Sequence, residues 1–211
     1  LQNFNIPFRH SKVLRLIDET DSSILNNTTT VTMAKKFTPT LSSAVAYNIN
    51  FNNALFNPVS GYNAAAGGVI ASTGFYLNNV TTIEYFFDDD GSGNLRTYYI
   101  VSGVRTYINN TAGTVDYANG TIRINSITIT GVANVDDATS SQIRITAIPN
   151  SNDVIPVRNQ ILEIDFVNST ITSAVDATAT TGKGYTTTTT SAGTTTTTVS
   201  TTTSTPSSSA Y

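Results

Sequence analysis

The strongest hint of chemistry in this chain is the run Asp88-Asp89-Asp90-Gly91-Ser92-Gly93-Asn94. Closely spaced carboxylates followed by glycine open the helical calcium-binding loop, where hard oxygen ligands wrap a divalent cation. That loop closes with a bidentate Glu at its twelfth position, and counting from Asp88 that position is Tyr99. The flanks have strand rather than helix character. The run is therefore expected to be an acidic hairpin turn, and no metal ligand is assigned.

The remaining candidates for catalysis are sparser. His10 is the only histidine and cysteine is absent, so neither a typical zinc site nor a Cys–His pair can be assembled. Ser11 beside His10 is no triad, because sequence neighbours rarely supply that geometry. His10 is expected at a surface or interface. Acids such as Asp136-Asp137, Glu163 and Asp165 fall in turns or on an outward strand face, not in a cleft with a set separation. Asn26, Asn27, Asn79, Asn109, Asn119 and Asn168 each begin an Asn-x-Ser/Thr triplet. A chain this rich in Asn and Thr produces such triplets by chance. No enzyme, cofactor, metal or small-molecule substrate is expected.

Composition narrows the classes further. Among 211 residues only 12% are charged and 39% are hydrophobic, against roughly 25% charged in average domains. Asn, Thr and Ser fill the gap, and these suit turns and strand surfaces better than helix interiors. A net charge of -3 without a basic cluster argues against nucleic acid. No apolar run is long enough for a spanning helix, so no membrane partner is expected. The opening Leu-Gln-Asn-Phe-Asn lacks a secretory pattern, and the chain is read as a piece of a longer protein. Without cysteine, stability must come from strand pairing and core packing.

Period-2 patterns define the elements that would position any site. Val45, Tyr47, Ile49 and Phe51 alternate with small or polar residues. Ile83, Tyr85 and Phe87 form a second face. Leu95, Tyr99 and Val101 form a third, with Arg96 and Tyr98 opposite. Leu162, Ile164 and Phe166 are expected to point inward from a further strand. Asn119-Gly120 predicts a two-residue hairpin turn, which would set Tyr117 against Ile122, Asp116 against Arg123 and Val115 against Ile124. Ile122 and Ile124 are even while Ile127 and Ile129 are odd, so a bulge is expected at Asn125-Ser126. Residues 57–74 read as a Gly-rich loop with a short strand near Val69-Ile70. Thr186–Thr190 and Thr194–Thr198 offer no apolar face to offset ordering entropy.

The expected fold is therefore mainly β: antiparallel sheets and hairpins in a sandwich-like arrangement, little helix, and a disordered or extended Thr/Ser-rich tail. The expected organisation is an arm over 1–30 linking to a part upstream, a β-rich assembly domain over 31–176, and the tail over 177–211. Tyr98 and Tyr107 are candidate interface residues, because a rigid apolar ring with a polar tip favours interfaces. A β-rich core of either kind, an assembly protein or an adhesin domain that binds carbohydrate on a Thr/Ser stalk, fits these features.

Longer motifs add a resemblance. Gly113-Thr-Val-Asp-Tyr117-Ala-Asn-Gly120-Thr-Ile122 is followed by Ile143-Arg-Ile-Thr-Ala147-Ile-Pro149 and by Asp153-Val-Ile-Pro156-Val-Arg158-Asn159-Gln160-Ile-Leu162-Glu-Ile164-Asp165. Upstream stand Arg15-Leu-Ile-Asp18 and Lys35-Lys36-Phe37-Thr38-Pro39-Thr40-Leu41. In this order they resemble the C-terminal region of the baseplate wedge protein of T-even-type contractile-tailed phages (myoviruses) and their cyanophage relatives. The resemblance implies a structural protein of the virion that forms homodimers and, with other wedge and hub proteins, links wedges into a ring around the tail hub. It carries over no catalytic residue. Arg158 and Asn159, after the turn at Pro156, are expected to pin the last strand and shape an assembly surface, and Asp153 and Tyr117 are further structural or interface candidates.

Overall fold

The alternation of β-branched and aromatic residues with Asn and Thr is realised as a chain of antiparallel strands. The computed structural model describes residues 6–62, 68–134, 140–156, 162–174 and 188–191. It divides into two compact units, one running through Asn3–Ile161 and the other through Leu162–Tyr211.

The first unit begins with a helix, α1 (His10–Asp18). Nine strands follow: β1 (Met33–Phe37), β2 (Ala44–Asn50), β3 (Ile70–Ser72), β4 (Phe75–Leu77), β5 (Val80–Asp89), β6 (Asn94–Val101), β7 (Val104–Asp116), β8 (Thr121–Val132) and β9 (Ile143–Ala147). Every ladder is antiparallel. Strand β5 pairs with β6 on one side and β4 on the other, β4 pairs with β8, β8 with β7, and β7 with β6. The sheet thus closes on itself as a barrel. Strands β3, β9 and β1 extend it from β5, and β2 adds to β8. Closure removes most strand edges, the weak points of a sheet.

The core lies inside this closed sheet. Phe75 stacks on Phe87 with ring centroids 4.5 Å apart, and Leu95, Ile122, Ile124 and Ile129 are fully buried around them. Each such side chain contributes about 1.5–3 kcal/mol by leaving water. Two expected faces are present: Ile49 and Phe51 are buried at the end of their alternating run, and Phe87 ends the β5 run, whereas on the third Leu95 is buried but Val101 is 50% exposed. The phase slip in β8 is a bulge at the expected place. Val45 pairs with Ile127 but Tyr47 with Ile124, so Asn125 and Ser126 together oppose Ala46. This keeps both Ile124 and Ile129 in the core. The expected short strand after Val69 is β3.

Two local expectations are corrected. The β7–β8 hairpin pairs Asp116 with Thr121 and Val115 with Ile122, two residues out of the expected register. Parity is kept, so the apolar face is unchanged. The turn is four residues long because Asp116 takes over the capping: its carboxylate accepts hydrogen bonds from the Asn119 backbone N–H (3.0 Å) and from Asn119 Nδ2 (2.7 Å). Tyr117 is meanwhile drawn out of the ladder towards Asp89. Only Gly120 needs positive φ, at 66°, and a Cβ there would lie 1.9 Å from the Asn53 carbonyl oxygen.

The second correction concerns Leu162, Ile164 and Phe166, which do not form a strand. A short 3-10 helix runs over Phe166–Asn168, and Phe166 is 68% exposed. Asp165 caps that turn by accepting from the Asn168 N–H and Nδ2, which curls the chain. In this second unit β10 (Thr170–Ser173) pairs antiparallel with β11 (Thr188–Ser191), so part of the Thr run is extended. The rest of the expected tail lies outside the described residues, as do Asp136 and Asp137.

Candidate assembly surface

The acidic run is a hairpin turn that joins β5 to β6. Asp90 holds it, accepting from the N–H groups of Ser92 (2.7 Å) and Asn94 (3.0 Å) and from Asn94 Nδ2 (2.6 Å). Burial acts to raise the Asp90 pKa, but these hydrogen bonds outweigh it and leave the group below its ordinary value. Asp88 and Asp89 precede the turn on adjacent strand positions, so they face opposite sides of the sheet. Asp89 turns to the Ile70 N–H (2.8 Å) and the Tyr117 hydroxyl (2.6 Å). Burial, reinforced by that bond to Asp89, raises the Tyr117 pKa far above its usual range. Among the described residues no group of three or more His, Asp or Glu is placed to hold a metal ion.

Asp88 is the hub of a different cluster. It is 1% exposed and sits opposite Arg96 in the β5–β6 ladder. Arg96 Nε donates to one carboxylate oxygen at 2.9 Å, and Arg96 Nη2 donates to the Asp89 carbonyl at 2.8 Å. Arg105 Nη1 and the Tyr107 hydroxyl, both from β7, donate to the other oxygen at 2.8 Å each. The two guanidinium groups also lie over aromatic rings: Arg96 4.2 Å from the Tyr107 centroid and Arg105 4.7 Å from that of Tyr98. Such contacts favour the planar, weakly hydrated Arg over Lys. Tyr98 packs between Phe86 and Tyr107, at 5.6 and 5.7 Å. Burial, with Asp88 close by, raises the pKa of both tyrosines. The cluster clamps three strands together on the face opposite the core residues Phe87, Leu95 and Thr97.

Beyond this clamp the β6–β7 hairpin runs on to an apolar tip. Ser102 and Gly103 make a two-residue turn with φ of 50° and 79°, the mirror-image type that matches strand twist. Val101 pairs with Val104 across it. Val101, Val104 (65% exposed), Ile100 and Ile108 all face water. Past Tyr85 and Tyr99 the β5–β6 ladder ends. There a groove of about 470 Å³ opens, lined by Ile83, Phe86, Tyr99, Ile100 and Val101 among others. Strand β7 pairs with β8 only from Gly113 onward. Among the described residues its second edge over 104–112 has no strand partner. The tip thus places exposed apolar side chains next to a strand edge with unpaired backbone groups, the two features that distinguish contact surfaces from ordinary solvated ones.

The expected site residues are placed as follows. Tyr98 and Tyr107 come together, but Tyr98 is 6% exposed and Tyr107 half-buried. Both rings pack against each other and against the guanidinium groups of the Asp88 cluster. Tyr117 lies on the other side of the sheet with Asp89. Asp153 binds the N-terminal arm through Arg9 and the His10 N–H. Arg158 and Asn159 lie outside the described residues. Asp88, Arg96, Arg105 and the Ser102-Gly103 tip were missed. A signal existed: Asp88 and Arg96 stand equally far from the centre of the Asp-Gly-rich turn, so a tight hairpin had to oppose them.

The family described as baseplate structural protein gp6, C-terminal domain III, matches residues 1–36. The matched stretch covers the arm, α1 and most of β1. It contains Arg15-Leu-Ile-Asp18 and Lys35-Lys36 and none of the motifs between 113 and 165. No curated protein and no solved structure matches. The similarity of residues 1–36 to that domain supports a structural protein of a phage baseplate.

Proposed function

We propose that this chain is a structural component of the tail baseplate wedge of a contractile-tailed phage. In this reading it dimerises, joins neighbouring wedges into a ring around the tail hub, and is assembled into the virion in the host cytoplasm. The match of residues 1–36 to a baseplate structural domain carries the reading. The apolar β6–β7 tip and the free β7 edge support it, since a two-fold interface needs a patch that can meet its own copy. Ring closure then multiplies contacts that are individually weak.

The test is the mass of the chain in solution by light scattering. A dimer is expected, and Val101→Asp combined with Val104→Asp should weaken it by roughly 30-fold or more, as loss of a central apolar anchor does. The Asp88 clamp is untouched by these changes, so unchanged thermal unfolding would show that the fold survives. A strict monomer that binds a glycan would overturn the proposal in favour of an adhesin.

A further inference from the structure

Residues 6–32 are attached to the barrel in a way no other part of the first unit is. None of them is buried, and Met33 is the first buried residue among those described. Helix α1 contains no buried residue either. At nine residues it is shorter than the roughly 12–15 an isolated helix needs in water. Its folding therefore depends on what holds its ends.

The holding is local and specific. Phe8 and Val154 exchange two backbone hydrogen bonds, at 2.8 and 3.1 Å. The helix has no side-chain cap of its own at Arg9. Asp153 supplies one from 143 positions along the chain: one oxygen accepts from the His10 backbone N–H at 2.9 Å, and the other pairs with Arg9 Nη1 at 2.7 Å. A carboxylate at this position satisfies an orphan donor and complements the helix dipole. The barrel side is rigid. Val154 is buried, Ile155 is gripped through both its N–H and its carbonyl by the Asn53 side chain, and Asn150 N–H bonds to Ala54.

The arm is also stitched to itself. Asn27 Nδ2 donates to the Leu14 carbonyl and to Asp18, and His10 Nε2 donates to the Thr29 carbonyl at 2.9 Å. The returning segment and the helix are thus one piece. We infer that residues 6–32 form a latch that opens from the barrel as a unit, melting α1, and that Asp153 is the residue that closes it. This rests on contacts within the chain and is independent of the proposed baseplate role.

Hydrogen exchange of the intact chain, read by mass spectrometry, tests the inference. Peptides from α1 should exchange well ahead of those from β5 and β8. Asp153→Ala should speed exchange across 8–19 by about tenfold or more, the scale expected for losing a hydrogen bond to a charged group, while β5 and β8 keep their rates. Arg9→Ala, which leaves the His10 cap in place, should have a smaller effect on the same peptides. The inference is overturned if α1 is protected to the level of β8. It is equally overturned if Asp153→Ala leaves α1 unchanged or speeds arm and barrel alike.

Discussion

In the barrel, Phe75, Phe87 and Ile124 are wholly out of water; in the arm over 6–32, no residue is. Both regions use a carboxylate to bring an arginine and a distant strand segment together, and the settings differ. Asp88 is 1% exposed and meets Arg96, itself nearly buried, where water has little access, while Arg105 reaches it from the rim with its side chain 36% exposed. Asp153 pairs with an exposed Arg9 at the surface. The same chemistry therefore has opposite consequences. A buried pair that loses one member strands the other charge, whereas an exposed pair is readily replaced by solvent. The barrel is held by the absence of water, the arm by a few directional bonds.

The contrast breaks most visibly at Asp88. Asp88→Ala should destabilise the barrel by about 3–5 kcal/mol in urea unfolding, because Arg96 is left buried without its carboxylate. A loss under about 1 kcal/mol would place this cluster with surface pairs and erase the distinction.

Two glycines sharpen it at intermediate size. Both have positive φ, but a Cβ at Gly120 would strike the Asn53 carbonyl while one at Gly103 meets open space. Gly120→Ala should cost about 2–3 kcal/mol, combining strain with a backbone shift. Gly103→Ala should cost about 1 kcal/mol, from the left-handed conformation alone. Equal losses by thermal unfolding would mean that the loop around Asn53 yields freely.

The smallest effects are those of pH, and the alkaline one separates the regions. The Arg9 hydrogen bond, with the His10 N–H, holds Asp153 below its ordinary value of 3.8. Its contribution is present above that value and is lost as pH falls through the depressed one. Acid should therefore loosen the arm, seen as loss of α1 exchange protection, while Asp90 and Asp116, also held below their ordinary values, give the barrel turns an acid response of the same sign. Tyr98, Tyr107 and Tyr117 are all raised above 10.0. Their contribution is complete below 10.0 and is lost as pH rises through the raised values. Alkaline unfolding followed by tyrosinate absorbance should thus report the barrel and leave the arm silent.

Much of the barrel was legible because it is written in short-range rules. The odd-to-even slip between Ile124 and Ile127 demanded a bulge, and one stands at Asn125-Ser126. The acidic run demanded a turn, and Asp90 makes one. The β7–β8 register was misjudged by two residues because Asn119-Gly120 is a good turn in isolation, while the competing Asp116 cap and the pull of Asp89 on Tyr117 are visible only in three dimensions. Phe166 misled for a related reason: its alternation with Ile164 is real, but Asp165 curls the backbone before a strand can form.

By itself the sequence determined the strand class, the apolar faces, the turn residues and the absence of thiol chemistry, since each depends on residues within a few positions of one another. Only the tertiary structure decided which charges are structural. Asp88 meets Arg105 and Tyr107 because three strands stack in a particular order. Asp153 caps a helix 143 residues away because the chain returns to its own beginning. No local pattern encodes either meeting, since each is set by how a closed sheet brings remote segments together as water leaves its interior.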